Sequence, residues 1–136
     1  MSGIINEIGS KSGVIDKSRF YMGSTTRNVA TTGTQAITGV GFRPKQVLFM
    51  AGIDDDAGCA SWGWDNGTTK YRMTNRSDTA QAVSESSSTS IGVNIASGVS
   101  ETYGVISAIG SDGFTINWTK GGAPTGTVTI YFLAFR

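Results

Sequence analysis

The clearest alternation of apolar and polar positions lies near the C-terminal end of the chain. Phe114, Ile116 and Trp118 alternate with polar residues, which is the period-two pattern of a strand with one buried face. Three glycines and a proline then interrupt the pattern at residues 121–126, as is typical of a turn. The next segment, residues 127–135, begins by alternating and ends as a continuous apolar run. A strand that is apolar on both faces is usually covered on both faces, so we predict that both faces of this segment are covered.

Shorter segments with strand patterns recur along the chain, separated by turn residues. They cover residues 34–38, 46–53, 59–65, 68–73, 91–95 and 103–109. Segment 46–53 is the second continuous apolar run, so we expect it to lie beside segment 127–135 in the interior. In segment 103–109, Val105, Ser107 and Ile109 are predicted to share one face. Short strands at this spacing predict an all-β fold, an antiparallel β-sandwich of roughly eight strands.

The first 22 residues follow a different pattern from the rest of the chain. Ser-Gly-Ile-Ile at residues 2–5 recurs as Ser-Gly-Val-Ile at residues 12–15, with polar residues between. The apolar pairs are too sparse for a stable amphipathic helix. We therefore predict an extended N-terminal docking arm over residues 1–22 and a β-sandwich domain over residues 23–136. The predicted assembly residues of the arm are Ile4, Ile5, Val14 and Ile15.

An arm of this kind needs a surface to bind, because terminal segments fray unless they are tied down. One interpretation is that the apolar pairs dock on the sheet of the same domain. The other is that they dock on a neighbouring subunit or on a larger assembly. The sequence alone leaves both interpretations open.

Composition narrows the classes of function. The chain has no histidine, which excludes Ser-His-Asp and Cys-His catalytic arrangements and the commonest metal ligand. The net charge is +1, without a basic cluster, so we predict no nucleic-acid partner. No apolar run reaches about 18 residues, so no membrane span is predicted. The single Cys59 fits a buried small hydrophobic residue and synthesis in a reducing cytoplasm.

Two groups of side chains are candidates for binding. Asp54, Asp55 and Asp56 form an acidic loop that could hold a cation, with Asp65 or Asn66 nearby. The spacing does not match a calcium-binding loop, so a solvated loop is favoured, and we predict no metal, no cofactor and no enzyme activity.

The second group consists of aromatic residues, which form either a sugar-binding platform or part of a core or interface. Its members are Trp62, Trp64, Tyr71 and Trp118. Residues 74–90 are polar and low in complexity, and they are predicted to form a long exposed loop with room for one short strand.

Two segments resemble small bacteriophage virion proteins. GVGFRPKQVLFMAGI at residues 39–53 is similar to their G-F-x-P-K-x-V-x-F strand. GFTINWTKGGAPTGTVTIYFLAF at residues 113–135 resembles their closing hairpin, with its F-x-x-x-W-T-K and P-T-G-T elements. The segment SGIINEIGSKSGVI at residues 2–15 is similar to segments of phage tail and fibre proteins, notably those of marine phages. Together these matches cover about half of the chain.

The resemblance implies a jelly-roll-like β-sandwich, often trimeric, in a virion protein made in the host cytoplasm. The expected function is that of a non-enzymatic capsid decoration or cement protein. Such a protein would bind the major capsid protein, or another virion protein, on the outside of the head through its N-terminal arm. The alternative is a tail-fibre or tail-tip module that recognises a host surface glycan through the loops at residues 54–56 and 74–90.

A homo-oligomer is expected as well, with a trimer favoured by the resemblance. Strand 127–135 carries more apolar surface than one sandwich can cover, and closed symmetry would bury the surplus. The predicted subunit interface is Tyr131, Leu133 and Phe135.

Overall fold

The computed structural model describes residues 19–53, 59–75, 83–96 and 100–136. In these residues the chain forms ten β-strands and no helix. The strands are β1 Phe20–Asn28, β2 Gly33–Thr38, β3 Gln46–Ile53, β4 Cys59–Asp65, β5 Lys70–Asn75, β6 Val83–Ser86, β7 Ile91–Ala96, β8 Ser100–Gly110, β9 Gly113–Gly121 and β10 Thr127–Phe135. Accordingly, the described residues contain no helix long and apolar enough to cross a membrane.

The strands form two antiparallel sheets. The six-stranded sheet has the order β1-β10-β3-β4-β5-β6, and the four-stranded sheet has the order β2-β9-β8-β7. The first strand pairs with the last and β2 pairs with β9, so the two ends of the body are nested. Consecutive strands pair in between, from β3 to β6 and from β7 to β9. As predicted, β3 and β10 are neighbours, with Phe49 opposite Phe132.

A single hydrophobic core lies between the two sheets. The ring of Phe114 on β9 packs edge-on against Phe49 on β3, at 5.8 Å between centroids, and against Phe132 on β10, at 5.3 Å. Ile116 and Trp118 follow on the same side of β9 and are buried. The predicted alternation of β9 is therefore confirmed, and the two sheets pack face to face in a β-sandwich-like body.

The structure confirms the prediction of an all-β antiparallel chain and corrects the number of strands. The described residues form ten strands rather than roughly eight, because a Thr-rich segment forms β1 and β6 lies inside the predicted loop 74–90. The division into an arm and a body stays a prediction, and residues 20–22 belong to β1 of the body. Phe20 already pairs with Phe135, and Met22 pairs with Leu133, so the folded body begins no later than residue 20.

The buried face of β8 differs from the predicted one. Thr102, Gly104 and Ile106 point into the core, whereas Ser107 is exposed. The register shifts between Ile106 and Ala108, which leaves Ser107 as an extra residue in the β8–β9 ladder, although its hydroxyl donates to the backbone oxygen of Thr115 on β9 at 3.3 Å. Such a bulge changes which residues face inward, and a strict period of two does not describe the strand.

Asp65, which sequence reasoning considered for a cation site, instead joins the two sheets. Its side chain is fully buried. One carboxylate oxygen accepts the backbone N–H of Gly67 at 2.8 Å, and the other accepts the backbone N–H of Ile106 on β8 at 2.9 Å. The carboxylate thereby satisfies a turn donor and a donor next to the β8 bulge.

Replacing Asp65 with asparagine should lower the free energy of unfolding by about 1–3 kcal/mol, because an amide presents N–H to one of the two backbone donors, of which the N–H of Ile106 is buried. Asp112 is the matched control. Its carboxylate also accepts two backbone N–H groups, from Gly39 and Gly41, but Asp112 is exposed and water can replace the lost bond. Urea unfolding of both variants checks the prediction, and equal losses would contradict it.

Candidate assembly surface

The side of the six-stranded sheet that faces away from the core, called the outer face below, carries two rows of large side chains. Each row runs across the strands through directly opposed residues. The first row is Met22, Leu133, Leu48, Trp64 and Tyr71, and the second is Ser24, Tyr131, Met50, Trp62, Met73 and Glu85. Opposed side chains on neighbouring strands are about 5 Å apart, so each row is a continuous ridge.

Most of this apolar surface is open to solvent. Met22 is 71% exposed, Tyr131 60% and Met50 56%. Among the described residues, every large apolar side chain that is exposed lies on the outer face, with the exception of Tyr21. Tyr21 stacks on the core ring of Phe132 instead. Scattered exposed apolar residues are ordinary in a soluble protein, but a contiguous patch marks a binding surface.

Two concavities lie between the side chains of the outer face. The larger has a volume of ≈ 620 Å³ and is lined by Met22, Leu48, Met50, Trp62, Tyr131 and Leu133, among others. The smaller, of ≈ 330 Å³, is bordered by aromatic rings and one carboxylate, from Trp62, Trp64, Tyr71 and Glu85. The rings of Trp64 and Tyr71 lie 5.5 Å apart. Both concavities can accept side chains or rings from a partner.

The sequence of β3 explains how one strand contributes apolar side chains both to the core and to the outer face. Val47, Phe49 and Ala51 point into the core and are buried, whereas Leu48 and Met50 point outward and are exposed. A continuous apolar run in a pleated strand necessarily has two apolar sides. In the single chain only the inner side is covered, and the predicted cover of the outer side stays a prediction.

The predicted subunit-interface residues share the outer face. Tyr131 and Leu133 belong to the two ridges, and Phe135 continues on the same side of β10, opposite Phe20 and Gln46. Tyr131 is exposed, and Leu133 and Phe135 are half-buried. The structure therefore places all three where an interface would require them, and whether they form one stays a prediction.

The other candidate residues separate into three groups. Trp62, Trp64 and Tyr71 lie together on the outer face, whereas Trp118 belongs to the core. Cys59 is buried and its thiol contacts the backbone oxygen of Asn75 at 3.3 Å. The arm residues Ile4, Ile5, Val14 and Ile15 and the acidic residues Asp54, Asp55 and Asp56 lie outside the described residues.

The pattern of residues 68–73 predicts Tyr71 and Met73 on one face, but the sequence does not indicate that Met22 and Met50 lie on the same surface. Met22, Met50 and Met73 lie on three different strands, and only the strand order places them beside the tryptophans. Leu48 and Met50 are two positions apart on β3, and Tyr71 and Met73 are two positions apart on β5. Each pair therefore lies on one face of its strand, and this spacing was the available signal.

Arg72 lies on β5 between the ridge residues Tyr71 and Met73 and also borders the smaller concavity, while its guanidinium extends toward the other sheet. The guanidinium of Arg72 lies 4.6 Å from the ring centroid of Tyr103, in space left open because Gly92 has no side chain. Burial lowers the pKa of Arg72, and the negative charge of Glu101 opposes that effect. A cation over an aromatic ring is itself stabilising, so Arg72 fits a structural role at the β5–β7 edge.

The described residues contain no group of three or more side chains suited to hold a metal ion. The comparisons with known proteins add no relative to this geometry. No protein-family model, no curated protein and no solved structure matches the chain.

Proposed function

We propose that this chain is a non-enzymatic bacteriophage structural protein, a capsid decoration or cement protein that binds the outside of the head through its N-terminal arm. The observation that carries the proposal is the broad apolar outer face, which suits a protein that works by assembly. The resemblance of residues 39–53 and 113–135 to phage virion proteins supplies the setting. The protein is made in the host cytoplasm and acts in the virion, bound to the major capsid protein or a neighbouring virion protein.

The nested strand pairing supports a body of jelly-roll type. β1 pairs with β10 and β2 pairs with β9, one pair in each sheet, as in a chain folded back on itself and rolled into two sheets. The meander from β3 to β6 then enlarges one of the sheets. That enlargement creates most of the width of the outer face, because three of its five apolar strands, β3, β4 and β5, belong to the meander.

The position of β1 suits a separate docking arm. β1 is an edge strand of the six-stranded sheet, so the chain before Arg19 joins the body at the border of that sheet. Eighteen residues span at most about 60 Å when fully extended. The arm can therefore reach a shell or a neighbouring protomer without any change in the pairing of the ten strands.

Deleting residues 2–16 should abolish binding to heads that lack the protein and leave the thermal unfolding of the body nearly unchanged. Co-sedimentation with purified heads measures the binding, and circular dichroism follows the unfolding. A matched control replaces Ile4, Ile5, Val14 and Ile15 with serine, which keeps the length of the arm but removes its apolar side chains. Full occupancy of the heads by the truncated protein would contradict this mechanism.

The alternative function is a tail-fibre or tail-tip module that recognises a host surface glycan. The smaller concavity favours it, because Trp62 and Tyr71 offer exposed rings for stacking and Glu85 offers acceptors for sugar hydroxyls. Binding of the isolated protein to glycans or host cells, lost on Tyr71→Ala, would support this alternative. The absence of both kinds of binding would exclude it.

A further inference from the structure

We infer that the outer face is covered by a second copy of this chain, in an isologous pair that packs the two six-stranded sheets face to face. This inference deepens the proposed function, because it names the partner of a surface on which that proposal rests. It concerns the body alone, whereas attachment to the head concerns the arm. The two can therefore fail separately.

The size of the face fits a stable pair. Seven of its eight exposed large apolar side chains lie on the two ridges, are exposed by between 38% and 71%, and are Met22, Leu48, Met50, Trp62, Tyr71, Met73 and Tyr131; the eighth, Val83, lies at the border on β6. With 150–250 Å² for a whole aromatic side chain, the seven present on the order of 700–800 Å². A standard interface buries about 800 Å² on each partner. The outer face thus has the area of one side of a complete interface.

The chemistry of the face fits a copy of itself. The two ridges are neutral from β1 to β5, and the first charged side chain is Glu85 at the border on β6. Aromatic residues and methionine are enriched, and charged residues depleted, in the buried centre of interfaces between identical subunits. A net charge of +1 gives little repulsion between copies. The partner that a neutral apolar face selects is another neutral apolar face, and each copy supplies one.

The shape of the face also allows self-pairing. Packed sheets lie about 10 Å apart with their side chains interdigitated. The concavity between Met50, Trp62 and Tyr131 lies among the ridges and can receive side chains of the facing sheet. In a two-fold pair the same patch serves both copies. Since nearly all the exposed apolar side chains of the described residues share one face, an isologous pair uses the surface better than the trimer that the resemblance implies.

Charge at the end of the sheet selects the alignment of the two copies. Lys45 and Arg136 lie at the same end, because the backbone N–H of Lys45 bonds to the oxygen of Phe135 at 2.7 Å. A two-fold axis that crosses the strands sets the basic ends of the two copies at opposite ends of the interface. An axis parallel to the strands would bring them together. Repulsion between like charges therefore favours the crossing axis.

Met50→Glu tests the inference. Met50 is 56% exposed in the single chain, on the strand β3 near the middle of the face. The monomer can therefore tolerate a glutamate at this position, whereas the pair would bury two glutamates, one from each copy. We expect the wild-type protein to have about twice the 14.2 kDa chain mass in light scattering at about 50 μM. The variant should be monomeric, with a dissociation constant raised at least about 100-fold. Thr119→Glu is the matched control, because Thr119 is an exposed strand residue of the four-stranded sheet, and it should remain paired.

A mixing experiment separates loss of pairing from loss of folding. Equal amounts of Met50→Glu and Met50→Lys should form a mixed pair that neither variant forms alone, since opposite charges then face each other across the axis. Monomeric wild-type protein, a Met50→Glu variant that stays paired, a particle of three copies, or a mixture that stays monomeric would each overturn the inference. So would a monomer that uses this face to bind vesicles of phosphatidylcholine and phosphatidylglycerol, or glycans. Monomeric wild-type protein that still binds heads through its arm would overturn this inference and leave the proposed function standing.

Discussion

Replacing Trp118 with alanine should lower the free energy of unfolding by about 3–5 kcal/mol. Trp118 is only 1% exposed and is the largest fully buried side chain among the described residues. Its indole N–H donates to the side-chain oxygen of Gln35 on β2 at 3.0 Å, and the guanidinium of Arg27 lies 6.0 Å from its ring. The substitution removes the ring from the core, leaves a cavity and deprives Gln35 of its donor. A loss of this size is a large part of the 5–15 kcal/mol that typically stabilises a domain.

Urea unfolding followed by circular dichroism measures the effect. Thr119→Ala is the control, because Thr119 is the next residue on β9 and is exposed. That change should alter the free energy of unfolding by no more than about 0.5 kcal/mol. A loss below about 1.5 kcal/mol for the Trp118 variant would mean that β9 does not pack as described.

Alternation in the sequence was sufficient to predict the inner faces of several strands. Phe114, Ile116 and Trp118 are buried as the pattern of β9 requires. The continuous apolar runs also predicted that β3 and β10 lie side by side, and they do. These predictions succeed because a pleated strand has a fixed period of two, so burial of one residue determines the side of the residues two positions away.

The same rule fails where the backbone departs from a regular ladder. The extra residue Ser107 on β8 shifts the register against β9, and the predicted face of Val105, Ser107 and Ile109 does not form. Residues 102–106 give no signal of this bulge, because Ile106 and Val105 are equally apolar. The departure is coupled to Asp65, whose carboxylate accepts the backbone N–H of Ile106, a contact between segments 41 residues apart.

The outer face shows a second limit of sequence reasoning. The apolar run at Tyr131 and Leu133 indicated an apolar outer side of β10, but the extent of the apolar surface depends on the strand order. Met22 on β1 and Tyr71 on β5 belong to one ridge only because β10, β3 and β4 lie between them. Local pattern determines which side of a strand is apolar, and long-range pairing determines how large the combined face becomes.

Gly63→Ala should destabilise the body by more than about 3 kcal/mol, the upper range for overpacking in a tight interior. A methyl group at this position would overlap the backbone oxygen of Ser90 and lie 2.7 Å from the backbone oxygen of Tyr71. Neither atom can move alone. The backbone N–H and the hydroxyl of Ser90 both donate to the oxygen of Gly104, each at 3.0 Å, which ties Ser90 to β8. Relief of the overlap would therefore separate the two sheets beneath Trp62 and Trp64.

Gly52→Ala is the control for this prediction, because Gly52 lies on the adjacent strand β3 and, among the described residues, a methyl group there meets only the backbone oxygen of Cys59, at an ordinary 3.7 Å. We expect this variant to be as stable as the wild type or slightly more stable, since alanine has less conformational freedom than glycine in the unfolded chain. Thermal unfolding of both variants decides the matter. If Gly63→Ala unfolded at the temperature of Gly52→Ala, the close approach of β4 to the segment at Ser90 would be wrong. The inference that this close approach supports Trp62 and Trp64 on the outer face would then be wrong as well.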